Sequence, residues 1–192
     1  NIYDYLKGLD DNYSLIRDSI FKYNVEQFDV TNSVPIGVDK EGNTIYDSLF
    51  YIYNPIFETV QFNSEFKQFT VFLPSNDVIK DCFTTLEDTY QKMGKEVAKA
   101  DSALALQWIE EAMFYEGEIT SLGTTDVKSA YSRVWRPGIQ LVDMDNPEYM
   151  SNGVIYKMTK VKIPNNVIIS RIKSLVHYWE YQDELYPAET DL

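Results

Sequence analysis

Histidine and cysteine are nearly missing from this chain: there is one of each, His177 and Cys82, in 192 residues. A lone cysteine closes no intrachain disulfide, so the fold does not rest on a disulfide scaffold. Zinc sites draw on several His or Cys ligands, which this composition does not supply. A nucleophile–histidine mechanism would have to pass through His177, and no G-x-S-x-G turn is present to carry a serine. His177 falls off the apolar stripe of the last predicted helix and reads as a surface residue. Cys82 falls on the apolar face of another, beside Asp81, the opposite of the electropositive setting that activates a thiol.

Positive charge is scarce as well. Lys and Arg number 17 against 30 Asp and Glu, a net charge of −13. Nucleic acids are held mainly by neutralising phosphates with basic side chains, so they are not expected partners, and an anionic bilayer surface would repel the chain. No apolar run approaches the ~18 residues of a membrane span. Glycine-rich phosphate loops are absent. Asp143, Asp145 and Glu148 form an acidic loop, but Pro147 and a missing glycine break the calcium-loop pattern. Glu110 and Glu111, with Glu116 and Glu118, read as a solvated face, because sequence neighbours on a helix point in different directions. Neither a cofactor nor a metal is expected, and the chain is not expected to be an enzyme. It begins at Asn1 rather than Met, so the absence of a leader is uninformative.

What the chain has in plenty is aromatic residues: 15 Tyr and 10 Phe, in a composition 44% hydrophobic. Its length suits one domain or one domain with an appendage. Apolar spacing predicts a short helix over 2–9, a helix carrying Tyr13, Ile16, Ile20 and Tyr23, and longer ones over 76–93, 102–115 and 166–186. Between them lie turn residues and β-formers. A hairpin is predicted with its tip near Gly42, ended by Asn54-Pro55. Residues 127–135 alternate as a strand, 143–148 read as a polar loop, and 154–164 read as a strand with a slip near Met158–Val161 that suggests a bulge.

Two segments carry a resemblance. One is Phe69-Thr70-Val71-Phe72-Leu73-Pro74-Ser75-Asn76-Asp77. The other is Asn152-Gly153-Val154-Ile155-Tyr156-Lys157-Met158-Thr159-Lys160-Val161-Lys162-Ile163-Pro164. In order and direction they resemble the two signature motifs of the fasciclin domain family, over about residues 2–164. The usual His and Asp of the second motif are Tyr156 and Thr159 here. The family's Tyr-His pair is also replaced, in Ala112–Gly117, so adhesion roles attached to that pair do not carry over.

The resemblance implies an α+β fold: a fasciclin-like wedge-shaped β-sandwich with packed helices. To it are added an N-terminal β-hairpin insertion at about 30–67 and a C-terminal helix. The expected division is a domain over 1–164, then a helix and tail over 165–192 that could link to a following domain. The elaboration is similar to that of surface fasciclin lipoproteins of Bacteroidetes-type bacteria. That likeness implies a non-enzymatic extracellular adhesion or binding module, lipid-anchored at the outer membrane, with a glycan or cell-surface polymer as ligand. The alternative is a structural spacer, or a protein–protein interaction domain of a larger surface lipoprotein.

Within that frame, Pro74 ends a strand, and Ser75 or Asn76 caps the following helix with Asp77 at the favourable end of its dipole. Candidate ligand contacts are Tyr131, Arg133 and Trp135, which share one face if 131–135 is a strand. The other reading of that stretch packs Trp135 in the core and lets Arg133 snorkel to water. Tyr51 and Tyr53 are candidate partner contacts, because the strand around them is apolar on both faces. Such a strand is covered within the domain, with the terminal helix as one possible cover, or completed by a surface protein.

Overall fold

The two motif segments lie side by side. Strand β5 (Phe69–Pro74) and strand β10 (Gly153–Lys160) pair in parallel, with Phe69 opposite Gly153 and Met158 opposite Pro74. The computed structural model describes residues 1–93, 102–135 and 140–175, and the side chains of 1–92, 103–134 and 140–170. All of β5 is buried, as befits a parallel strand covered on both faces. Two antiparallel strands flank the pair, β6 (Phe114–Glu116) on β5 and β9 (Leu141–Met150) on β10, giving a four-stranded mixed sheet. With the helices packed on it, the architecture is α+β.

Helix α4 (Asn76–Met93) follows β5 at once. Ser75 caps it, its Oγ accepting from the Val78 amide at 3.4 Å. Ile79, Cys82, Leu86 and Tyr90 line its buried side. Asn76 does something the sequence did not disclose. Its Oδ1 accepts from the Leu15 amide and its Nδ2 donates to the Asp11 carbonyl, tying α4 to the short 3-10 turn Asp11–Tyr13 and to helix α2 (Ser14–Phe21). Asn152, fully buried, ties down helix α1 (Ile2–Lys7) in the same way. Its Oδ1 accepts from the Ile2 amide, and its Nδ2 donates to the carbonyls of Phe62 and Ser64.

Much of the aromatic content is spent in one cluster. Phe62 stacks on Phe114 at 4.9 Å and meets Phe57 edge-on at 4.9 Å, while Tyr3 meets Phe57 at 5.4 Å. The contacts join α1, helix α3 (Pro55–Thr59) and β6 around one core.

Residues between α2 and α3 leave the body as an arm. Strand β1 (Val25–Phe28) pairs antiparallel with β4 (Phe50–Tyr53), and β2 (Pro35–Val38) with β3 (Thr44–Tyr46). Gly42, at φ +87, forms the tip. The arm therefore starts before residue 30, because Val25–Phe28 supplies the partner for β4. Asn54 closes its root, capping α3 through the Ile56 amide and donating to the Ile20 carbonyl.

Three sequence expectations change. The helix predicted over 102–115 is α5 (Ser102–Ala112); its last residues go instead to β6, because β-forming aromatics meet the open edge of β5. Residues 143–148 are not a free loop but part of β9, bulged between the pairs Asp143–Lys157 and Glu148–Ile155, where Pro147 is tolerated. The strand predicted over 127–135 is a two-stranded hairpin, β7 (Val127–Lys128) with β8 (Val134–Trp135). The slip expected near Met158 is present, as a register shift between Met158 and Lys160. The last helix, α6, is described over Asn165–Leu175; its predicted remainder, with His177 and Trp179, lies outside the described residues.

Candidate functional site: the arm and the cleft at its root

Among the described residues, fifteen large apolar side chains stay exposed, and twelve of them lie between Tyr23 and Ile52. Scattered exposed apolar residues are ordinary on any surface; a concentration on one projecting element is not. Ile36 and Val38 on β2 are 65% and 68% exposed, and Phe50 on β4 is 55% exposed. The backbone of this element is well specified even so. The Asp39 carboxylate accepts from the amides of Glu41 and Asn43, and Asp47 accepts from the Val34 amide. Asp29 likewise accepts from the amides of Thr31 and Asn32. Phe28 meets Tyr46 and Phe50 edge-on at 5.7 and 5.8 Å, so the rings stiffen the ribbon without being covered.

Tyr51 is exposed and donates its hydroxyl to Gln27 Oε1 across the β1–β4 ribbon; Tyr53 is half-buried near the root. Tyr51 and Ile52 also wall a groove of about 550 Å³ together with Tyr3 and Phe57. Of the two sequence readings of this strand, the exposed one describes Tyr51, while Tyr53 is partly taken into the body.

A larger cleft, about 720 Å³, opens where the arm leaves and rejoins the body. Its walls come from α2 and the two residues after it, α3, α4, α5 and the loop of the β7–β8 hairpin. Tyr131 reaches it from that loop, and Glu110 and Glu111 reach it together from α5. Glu110 is only 7% exposed, and its Oε1 has no hydrogen-bond partner. Burial pushes its carboxyl above the usual range; Ser19 and Lys22 draw it down, and Glu111 adds to the rise. The expectation of a solvated acidic face fails here because α5 packs on α2, turning the Glu110 side inward.

Glu111 has a different task. Arg133 holds its Oε2 through Nε and Nη2, Gln107 donates to its Oε1 at 3.0 Å, and its carbonyl accepts from Ser129 Oγ. These bonds strap the hairpin loop to α5. Tyr131 and Arg133 are therefore brought together with the cleft, though not as strand neighbours. Ser132, at φ +61, turns the chain between them, which overturns the shared strand face. The Trp135 side chain lies outside those described.

The remaining candidates fit structural roles. Cys82 is buried, and its thiol is pushed up to about 11, by burial first. Among the described residues no group of three or more His, Cys, Asp or Glu side chains could hold a metal ion. No helix among them is long and apolar enough to cross a membrane. Compared with known proteins, the chain matches no family model, no curated protein and no solved structure.

Proposed function

We propose that the chain is a non-enzymatic binding module of fasciclin-like wedge architecture, which docks a protein partner through its arm. The observation that carries the reading is the concentration of uncovered apolar side chains on a ribbon whose backbone is held by its own turns. Burying one such side chain yields roughly 1.5–3 kcal/mol, so a few of them suffice for a hot spot. The arm also has open strand edges, to which an extended segment can add by main-chain hydrogen bonds. The likeness of 69–77 and 152–164 to the fasciclin motifs supports the wedge architecture, and the general likeness of the elaborated domain to bacterial surface fasciclin lipoproteins supports a place at the cell surface, as part of a larger lipoprotein.

The test uses a photo-crosslinking residue at Tyr51, with Tyr149, an exposed residue on β9, as the control position. The expected result is one saturable adduct formed from Tyr51 alone. Soluble wild type should compete for it, and a folded Phe50→Ser/Ile52→Ser variant should not. Equal competition by that variant, or no adduct from Tyr51, would sink the reading.

A further inference from the structure

We infer that the cleft at the arm's root is a binding site for a neutral, hydroxyl-rich ligand, a pyranose sugar unit. Its volume of about 720 Å³ falls within the range of small-molecule sites. Polar groups stand among the apolar lining of the cleft. Glu110 lines it, only 7% exposed, and its Oε1 has no hydrogen-bond partner and almost no solvent contact, so a turn of the side chain is needed to bring that oxygen to a ligand. An unmet buried oxygen is destabilising, and a ligand hydroxyl would offset that. Water alone would also satisfy it, but water leaves the apolar walls, Leu15, Ile56 and Leu106 among them, without a partner.

The charges select against ions of either sign. Glu111 is already balanced by Arg133. Lys22, which donates to Ser19 Oγ at 3.3 Å and lies 4.7 Å from the Tyr23 ring centre, would repel a cation. The Glu110 carboxyl, when ionised, would repel an anion. A hydroxyl both donates and accepts, so it fits the Glu110 carboxyl in its neutral and ionised forms alike. Gln107 spends its amide nitrogen on Glu111, which leaves its oxygen as an acceptor. Tyr131 holds the Ile56 carbonyl only at 3.5 Å, a bond readily exchanged for a ligand. Tyr23 and Tyr131 line the cleft, and aromatic rings suit the C–H face of a pyranose ring.

The test is titration of the full chain with methyl glycosides of glucose, galactose and N-acetylglucosamine, followed by calorimetry and by ligand-observed NMR. Phenethylamine and benzoate serve as charged probes. At least one glycoside should saturate in the millimolar range. Glu110→Leu should weaken it at least about tenfold, the equivalent of one good hydrogen bond. Glu110→Gln should keep most of the affinity, Tyr131→Phe should keep more than Tyr131→Ala, and the arm variant Phe50→Ser should bind as wild type does. The inference is overturned if no glycoside saturates folded wild type, if only the amine or benzoate binds, or if Glu110→Leu and Tyr131→Ala leave the affinity unchanged. Because the arm variant is read in the same titration, failure here is distinguishable from failure of arm docking.

Discussion

Gly153 sits so close to Phe69 that a β-carbon on it would lie 1.9 Å from the Phe69 carbonyl oxygen. The two residues face each other across the parallel ladder, and the Gly153 backbone has φ +149, where side chains are strained in any surroundings. This contact explains why the Asn-Gly step and the Phe-Thr-Val-Phe run, far apart in sequence, read as a pair of motifs. They form one structural unit, and its requirements are steric.

Gly153→Ala is therefore expected to cost roughly 2–4 kcal/mol, the sum of backbone strain and overpacking. Urea midpoints measure it. Gly123→Ala is the control, since a β-carbon at that position would meet nothing within 4 Å and its φ needs no glycine. That variant should stay within about 0.5 kcal/mol of wild type. Equal effects at both sites would show that the β5–β10 contact is looser than described.

Asn152 makes three bonds that only an amide supplies together: two donated, to Phe62 and Ser64, and one accepted, from Ile2. Asn152→Asp turns both donors into acceptors facing carbonyls. The expected loss is about 3 kcal/mol. Hydrogen exchange should quicken first over residues 62–66, because the Phe62 and Ser64 carbonyls lose their donor while the Ile2 amide keeps an acceptor. Wild-type protection there in the variant would show that this loop is held by packing alone.

The elements legible in the sequence are those whose cause is local. Helix α4 occupies the predicted 76–93 because its cap and its stripe lie within the segment itself. Tip Gly42 is legible for the same reason, a turn needing positive φ. Phe114 and Tyr115 read as helix in the sequence because the open edge of β5, more than forty residues away, decides their state. Glu110 reads as solvated because its burial depends on how α5 meets α2, and no residue near it in sequence records that packing. Tyr131 and Arg133 stand out by their residue types alone. The loop geometry that unites them with Glu111 is not legible, since it rests on Ser129 and Ser132.

Removing the arm separates stability from recognition. Replacing residues 29–49 by an Asn-Gly turn should join Phe28 to Phe50, which already face each other in the β1–β4 register. Ser33 is the one residue of 29–49 that is buried, and its Oγ accepts from Leu49 within the excised stretch. The shortened chain should fold with a thermal midpoint within a few degrees of wild type, by calorimetry, and should give a weaker Tyr51 adduct, since the exposed Ile36 and Val38 go while Phe50, Tyr51 and Ile52 stay. Unfolding on excision would show that the arm supports the body through contacts other than the Asn54 root.

Glu110 gives a prediction whose sign depends on which influence wins. Burial, the largest, raises its carboxyl above the usual value; Ser19 and Lys22 from the α2 side oppose that, and Glu111 on its own helix reinforces it. Arg133, from the hairpin loop, is committed to Glu111. With the folded value above the unfolded one, folding takes up a proton as the pH rises past the ordinary carboxylate value. The contribution of Glu110 is then complete in acid and is lost as the pH climbs through the folded value. Glu110→Gln cannot ionise and escapes that loss. Urea midpoints over about pH 4–8 should show the variant gaining on wild type as the pH rises from the carboxylate range, then running parallel above the folded value. A flat difference would mean that the carboxyl ionises as freely folded as unfolded. A difference that grows in favour of wild type would mean that Lys22 outweighs burial, and that the cleft carries a paired carboxylate.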